Sequence, residues 1–121
     1  MGSKTLSKWI GVPVYFKCEN LQKTGSFKVR GALHKVTQLT QEERARGVAT
    51  ISAGNHAQAV AWAATSIGVP SVVVMPEYAS PTKVAASKSY GAEVILHGDA
   101  KGAFAKVLEV SKDRGLTFLH P

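Results

Sequence analysis

From Val48 onward, short apolar runs alternate with longer stretches in which apolar residues recur at helical spacing. Val48-Ala49-Thr50-Ile51-Ser52 reads as a strand. A helix is predicted from His56 to Ile67, with Ala57, Val60, Ala61 and Ala64 on its inner face and Gly68 as its cap. Ser71 to Met75 is a continuous apolar run, as suits a strand buried on both faces. Ser80-Pro81 opens the next helix, with proline in the first turn, and Gly91 ends it. Glu93 to Leu96 is a third strand. Asp99 caps a helix whose face is Ala103, Phe104, Val107, Leu108 and Ser111, Gly115 ends it, and Thr117-Phe118-Leu119 is a last short strand. Strand and helix in alternation predict an α/β fold of three αβα layers, a parallel sheet covered by helices on both faces.

The first part of the chain follows a different rhythm. Val14 to Cys18 reads as a strand between Gly11-Val12-Pro13 and Glu19-Asn20. Phe27 to Leu39 reads as a helix with Val29, Ala32, Leu33 and Val36 on one face. Thr40 and Glu43 form a T-x-x-E capping box on a short helix that Gly47 closes. The expected organisation is therefore a strand-and-helix segment over 1–47 and a small parallel α/β domain over 48–121, which together can form one compact unit. No long linker and no low-complexity segment interrupts them.

Composition narrows the function classes. A chain of 121 residues, 45% hydrophobic and 19% charged, suits one domain with a modest core. The net charge of +7 is spread along the chain with no run of five basic residues, and aromatics do not alternate with basics. A solvated basic surface, or one matched by acidic partners, explains it better than nucleic-acid binding. No apolar stretch approaches the ~20 residues of a membrane-spanning helix, and the N-terminus has no apolar signal core. Cys18 is the single cysteine and cannot form an internal disulfide, which fits a reducing, cytoplasmic setting. His34, His56, His97 and His120 lack metal-ligand spacing, so no metal is expected. There is no P-loop or G-x-G-x-x-G, and Ser66, Ser80 and Ser111 have no G-x-S-x-G context.

Two places remain where chemistry concentrates. Lys28 falls in the first turn of the predicted helix, after Thr24-Gly25. A lysine condenses with an aldehyde only as the free amine, and an ordinary lysine titrates near ~10.4, so such a site must disfavour the charge. The positive end of a helix does so, and desolvation adds to it. Taken singly, Lys28 reads more readily as a solvated lysine at a helix start. Ser52-Ala53-Gly54-Asn55-His56 lies where a strand enters a helix, the place where open parallel sheets bind ligands. Backbone N–H groups there can hold a carboxylate or phosphate, and Gly54 permits an unusual backbone angle or a close approach. The alternative is a Ser/Asn helix cap with no ligand. Cys18, within a strand, is expected to be buried rather than reactive.

Jointly the two places are far more specific. The run from Glu19 to Ala32, containing Thr24-Gly25-Ser26-Phe27-Lys28-Val29-Arg30-Gly31-Ala32, closely resembles the cofactor-lysine motif of fold-type II pyridoxal-phosphate (PLP) enzymes. Ser52 to Gln58 matches the second motif of the threonine dehydratase and serine racemase branch. The N-P-x-G-S-x-K-D-R form of cysteine synthases is absent. Val74-Met75-Pro76, Pro81-Thr82-Lys83-Val84 and Gly91-Ala92-Glu93-Val94 follow in the family's order, so the resemblance runs from about Thr5 to Pro121.

That resemblance implies roles. Lys28 would hold PLP and shuttle the Cα proton, with Phe27 packed beside the cofactor. Asn55 would bond the cofactor's ring hydroxyl. Ser52, Gly54, Asn55 and His56 would line the pocket for the substrate carboxylate. The implied reaction converts a small hydroxy-amino acid, L-threonine or L-serine, to 2-oxobutanoate or pyruvate and ammonia. Ala53 favours a dehydratase, because serine racemases usually place an acid/base serine there. Family members are considerably longer, so the chain is expected to be an N-terminal part with its small domain, weak or inactive alone. The Gly-rich phosphate loop and the group facing the pyridine nitrogen would lie outside it. The alternatives are a serine racemase or a non-catalytic folding or oligomerisation module. Unpaired sheet edges are compatible with a homodimer.

Overall fold

The computed structural model describes the whole chain, Met1–Pro121. Its elements are α1 (Lys4–Ile10), two short 3-10 turns (Glu19–Leu21 and Lys23–Gly25), α2 (Lys28–Thr37), α3 (Gln41–Arg46), β1 (Val48–Ile51), α4 (Asn55–Ser66), β2 (Ser71–Met75), α5 (Pro81–Ser89), β3 (Glu93–Leu96), α6 (Ala100–Arg114) and β4 (Thr117–Phe118). The four strands form one sheet in the order β3-β2-β1-β4. All pairings are parallel, with Val48 opposite Ser71 and Thr117, and Val72 opposite Glu93. The three-layer α/β expectation holds.

Alternation along the inner strands sorts their side chains between the two faces. Ala49, Val72 and Val74 pack against Ala103, Val107 and Val110 of α6. On the opposite face, Val73 and Met75 meet Ala57 and Ala61 of α4. Every residue of β2 is buried, as its unbroken apolar run requires.

The other flank of α4 carries Ala59, Val60, Ala63 and Ala64, which pack with Val29, Ala32 and Val36 of α2. Six residues of α4 are buried and five of them are alanine. Side chains this small let a helix lie between a sheet and a second helix without strain. The sequence pattern had put Ala57, Val60, Ala61 and Ala64 on a single inner face; in the structure Ala57 and Ala61 meet the sheet, while Val60 and Ala64 pack with α2. Ala59 and Ala63 become core because α2 covers them.

Two expectations are corrected, and one helix is added that the sequence reading did not assign. Val14 to Cys18 is not a strand: Tyr15 makes an isolated antiparallel bridge to Gly2, supported by Ser3 N–H to the Val14 carbonyl at 3.0 Å and Phe16 N–H to the Met1 carbonyl at 2.7 Å. Tyr15 is 78% exposed, so no packed face is available to extend the pairing. An unexpected helix, α1, precedes it, capped by the Ser3 hydroxyl accepting from Leu6 N–H at 3.2 Å and by left-handed Gly11. Its caps were legible in Ser3 and Gly11, but it buries no residue, so periodicity gave no signal. Finally, the buried face of α6 is Ala103, Val107, Val110 and Ser111, while Phe104 and Leu108 stay 41% and 45% exposed. Small residues allow the helix to approach the sheet, and Phe104 is pushed to the flank, edge-on to Phe118 at 6.1 Å.

Short connections set where the elements begin. The Thr40 capping box forms: its hydroxyl accepts from Glu43 N–H at 3.2 Å and the Glu43 carboxylate accepts from Thr40 N–H at 2.8 Å. Gly47 then turns the chain into β1 at φ +101°, and a Cβ there would lie 2.7 Å from the Pro70 carbonyl oxygen. At the far end of the sheet, Arg114 donates to both oxygens of Glu93 at 2.7 and 3.1 Å, tying α6 to β3.

Two stability outcomes follow from these joints. Thr40→Ala is expected to cost about 1 kcal/mol, the usual value of a lost N-cap. Gly47→Ala is expected to cost more, at least about 2 kcal/mol, because a disfavoured backbone angle and a clash with rigid backbone add together. Urea denaturation of the two variants checks the order; a Gly47→Ala protein as stable as Thr40→Ala contradicts it.

Candidate active site

The segment before α2 is shaped by two consecutive left-handed residues, Thr24 at φ 59° and Gly25 at φ 66°. A β-branched residue rarely adopts this angle. The turn carries Ser26 inward, where it is buried and its hydroxyl accepts from Lys28 N–H at 3.4 Å. Arg30, one turn into α2, reaches back to Glu19 at 3.0 Å and holds the preceding 3-10 turn against the helix. Lys28 thus opens α2, half-buried, with its Nζ 5.9 Å from the centre of the Phe27 ring.

The loop from β1 to α4 contains the second predicted group. Gly54 N–H donates to the Ser52 hydroxyl at 3.0 Å. Gly54 sits at φ −139°, outside the left-handed region, and a Cβ there would make only ordinary contacts, 3.8 Å from Lys83 Nζ and 3.9 Å from Ser52 Oγ. What the loop offers is an open approach to the start of α4. That helix has no side-chain cap and no acidic residue in its first turn, so its leading N–H groups keep their positive character. Lys83 of α5 adds a cation here that the sequence reading did not assign. Its place in the first turn after Pro81 was visible, but the approach of α5 to this loop was not.

His56 lies half-buried in the first turn of α4. Its Nε2 is 3.1 Å from the Thr50 hydroxyl, which donates to the Leu119 carbonyl at 2.6 Å. Burial, and after it the Lys28 ammonium, hold the imidazole below the usual histidine range; the Leu119 carbonyl opposes this and His120 adds to it weakly.

Lys28, Phe27 and His56 line one cleft of about 610 Å³, together with Gly31, Ala32, His34, Lys35, Val60 and the terminal stretch Phe118 to Pro121. Its titratable side chains are Lys28, His34, Lys35, His56 and His120, with no Asp or Glu among them. Phe27 also borders a neighbouring cleft of about 500 Å³, which contains Asn55 and the segment from Phe16 to Asn20. Cys18 is half-buried on that wall, outside any strand. Ser52 and Gly54 line neither space and stand with Lys83 at the mouth of the β1–α4 loop. The structure therefore brings Lys28 and His56 together, sets Asn55 across the Phe27 ring, and leaves Ser52 and Gly54 beside them. An amine, an aromatic wall and a basic lining fit a flat, anionic aldehyde.

Comparison with known proteins agrees with this chemistry. Residues 2–121 match the family described as pyridoxal-phosphate dependent enzyme. The chain is 52% identical to the L-threonine ammonia-lyase of Geobacter sulfurreducens, covering 98% of this chain and 30% of that protein. It is 46% identical to the serine racemase of Schizosaccharomyces pombe, over 98% of this chain and 37% of that one. Among solved structures, serine racemase from Dictyostelium discoideum superposes with a TM-score of 0.88 at 38% identity, covering all of this chain and 40% of that one. The processed form of threonine deaminase isoform 2 from Solanum lycopersicum gives 0.84 at 38% identity, over 98% of this chain and 33% of that one. The chain thus spans about a third of the length of its relatives, and the lysine-bearing basic cleft and these likenesses place it in the pyridoxal-phosphate dependent enzyme family.

Proposed function

We propose that this chain carries the cofactor-lysine and substrate-carboxylate elements of a PLP-dependent ammonia-lyase for L-threonine or L-serine. The observation that carries the reading is the shared cleft of Lys28 and His56, whose titratable side chains are all basic. PLP, when bound, supplies the electron sink that lets a bond at the amino-acid Cα break. Lys28 would hold the cofactor aldehyde, and its amine would be the group that takes or returns the Cα proton. Phe27 gives the ring an apolar face, and Asn55, across that ring, is placed to meet a polar substituent of the cofactor. The basic residues of the cleft favour an anionic guest.

The β1–α4 loop handles the substrate. Ser52, Gly54, Asn55 and His56 would border the site of its carboxylate, with the leading N–H groups of α4 as fixed donors, Lys83 as a nearby cation and His56 beside it. Ala53 separates elimination from racemisation. A racemase must deliver a proton to the face opposite the lysine, and a methyl group has none to give. The kinship with serine racemases therefore describes shared architecture, while Ala53 supports loss of the β-hydroxyl and ammonia to leave 2-oxobutanoate or pyruvate.

Incubation with PLP, borohydride reduction and peptide mass spectrometry test the lysine assignment. Stoichiometric labelling confined to Lys28 is expected, and Lys28→Ala abolishes it. Labelling spread over surface lysines, or equal at Lys35 in the same cleft, overturns the assignment. Ammonia release from L-threonine and L-serine by the unreduced wild-type and Lys28→Ala proteins, each mixed with PLP, then tests the reaction.

A further inference from the structure

Thr50 is a hydroxyl in an otherwise apolar position. It lies mid-strand in β1, fully buried, between Ala49 and Ile51. Valine has nearly the same shape and is the ordinary residue for a buried parallel strand. A buried hydroxyl is tolerated only when its hydrogen bonds are satisfied, and both of its roles are taken here. The Leu119 carbonyl, 2.6 Å away, can only accept, so the single hydroxyl proton of Thr50 points to it. The oxygen then offers His56 nothing but lone pairs. At 3.1 Å the imidazole Nε2 must carry the proton and donate. In a neutral imidazole this leaves Nδ1 as the one acceptor.

The geometry points to Thr50 as a positioning residue that fixes both the tautomer and the hydrogen-bonding sign of His56. Resting on the PLP reading of the cleft, this sharpens the part played by His56. A neutral ring with Nε2–H committed to Thr50 cannot donate to a substrate carboxylate. It accepts a hydrogen bond from a donor on the guest, a hydroxyl or an ammonium. The carboxylate is left to the backbone N–H groups of α4 and to Asn55. Burial, then Lys28 of α2 and, after it, His120 beyond β4 disfavour a charge on the ring, and the other titratable side chains of the cleft are His34 and Lys35 of α2. All are basic. Because Leu119 N–H also donates to the Ala49 carbonyl at 2.8 Å, the position of the last strand sets the acceptor that orients Thr50.

Long-range ¹H–¹⁵N spectra of the histidine rings test this on the chain without cofactor, with His56→Gln assigning the His56 signals among the four histidines. The expected pattern is one Nε2–H tautomer, a slowly exchanging Nε2 proton, and a titration midpoint below the usual histidine range. Thr50→Ser keeps this signature. Thr50→Val, which keeps the shape and loses the oxygen, loses the slow proton. An Nδ1–H or averaged ring in the wild type, or an unchanged slow proton in Thr50→Val, overturns the proposal. If Thr50→Val does not fold, the wild-type and Thr50→Ser spectra decide alone. Failure of the PLP reading is seen separately, as absent Lys28 labelling with the ring spectra unaffected.

Discussion

The structure depends on the contact between α2 and α4. Through it, a segment that has no strand in the sheet is attached to the sheet's apolar core. Val29, Ala32 and Val36 on one helix meet Ala59, Val60, Ala63 and Ala64 on the other. Alanine sets the spacing, since larger side chains on α4 would hold α2 away from the sheet. Because α2 begins at Lys28, this packing is also what places the amine beside His56 and the carboxyl end of β1. Fold stability and site geometry therefore share the same side chains.

Around that contact the molecule is asymmetric in chemistry. The face covered by α6 is closed and apolar, built from Ala103, Val107 and Val110 on Ala49, Val72 and Val74. The other side holds the helix starts, the glycine-containing loop and the basic cleft. Open parallel sheets bind guests at this end because strand carbonyls stop there and helix N–H groups begin. The lining here adds ring nitrogens and ammonium groups to those N–H dipoles, so field and shape favour the same anionic guest. Thr24, held at a left-handed angle next to Gly25, sits within the turn that aims the lysine. Local backbone cost at such a turn is borne by the packing of the helix that follows.

Much of the fold was legible because its elements announce themselves locally. Thr40 and Glu43, Pro81, Asp99, Gly47 and Gly115 mark their helix ends through bonds or angles within a few residues. The buried run of β2 needs no knowledge of its neighbours. Expectations failed where burial depends on distant residues. Tyr15 has the composition of a strand residue but no sheet to join, and Phe104 and Leu108 fit a helical stripe yet lie outside the contact that α6 makes. Ala59 and Ala63 show the reverse case, small residues whose burial arises only when α2 arrives.

The site divides in the same way. By itself the sequence determined which groups are chemically available: a lysine opening a helix and a Ser-Ala-Gly-Asn-His turn after a strand. These are properties of residue type and local spacing, and they survive without coordinates. Only the tertiary structure decided that Lys28 and His56 share a cleft, that Lys83 reaches the β1–α4 loop, and that Thr50, bonded to His56, also reaches Leu119, 69 residues further along the chain. A hydrogen bond between groups so far apart in sequence leaves no periodic trace. It exists because parallel pairing brings β4 beside β1, and that pairing is a property of the folded sheet.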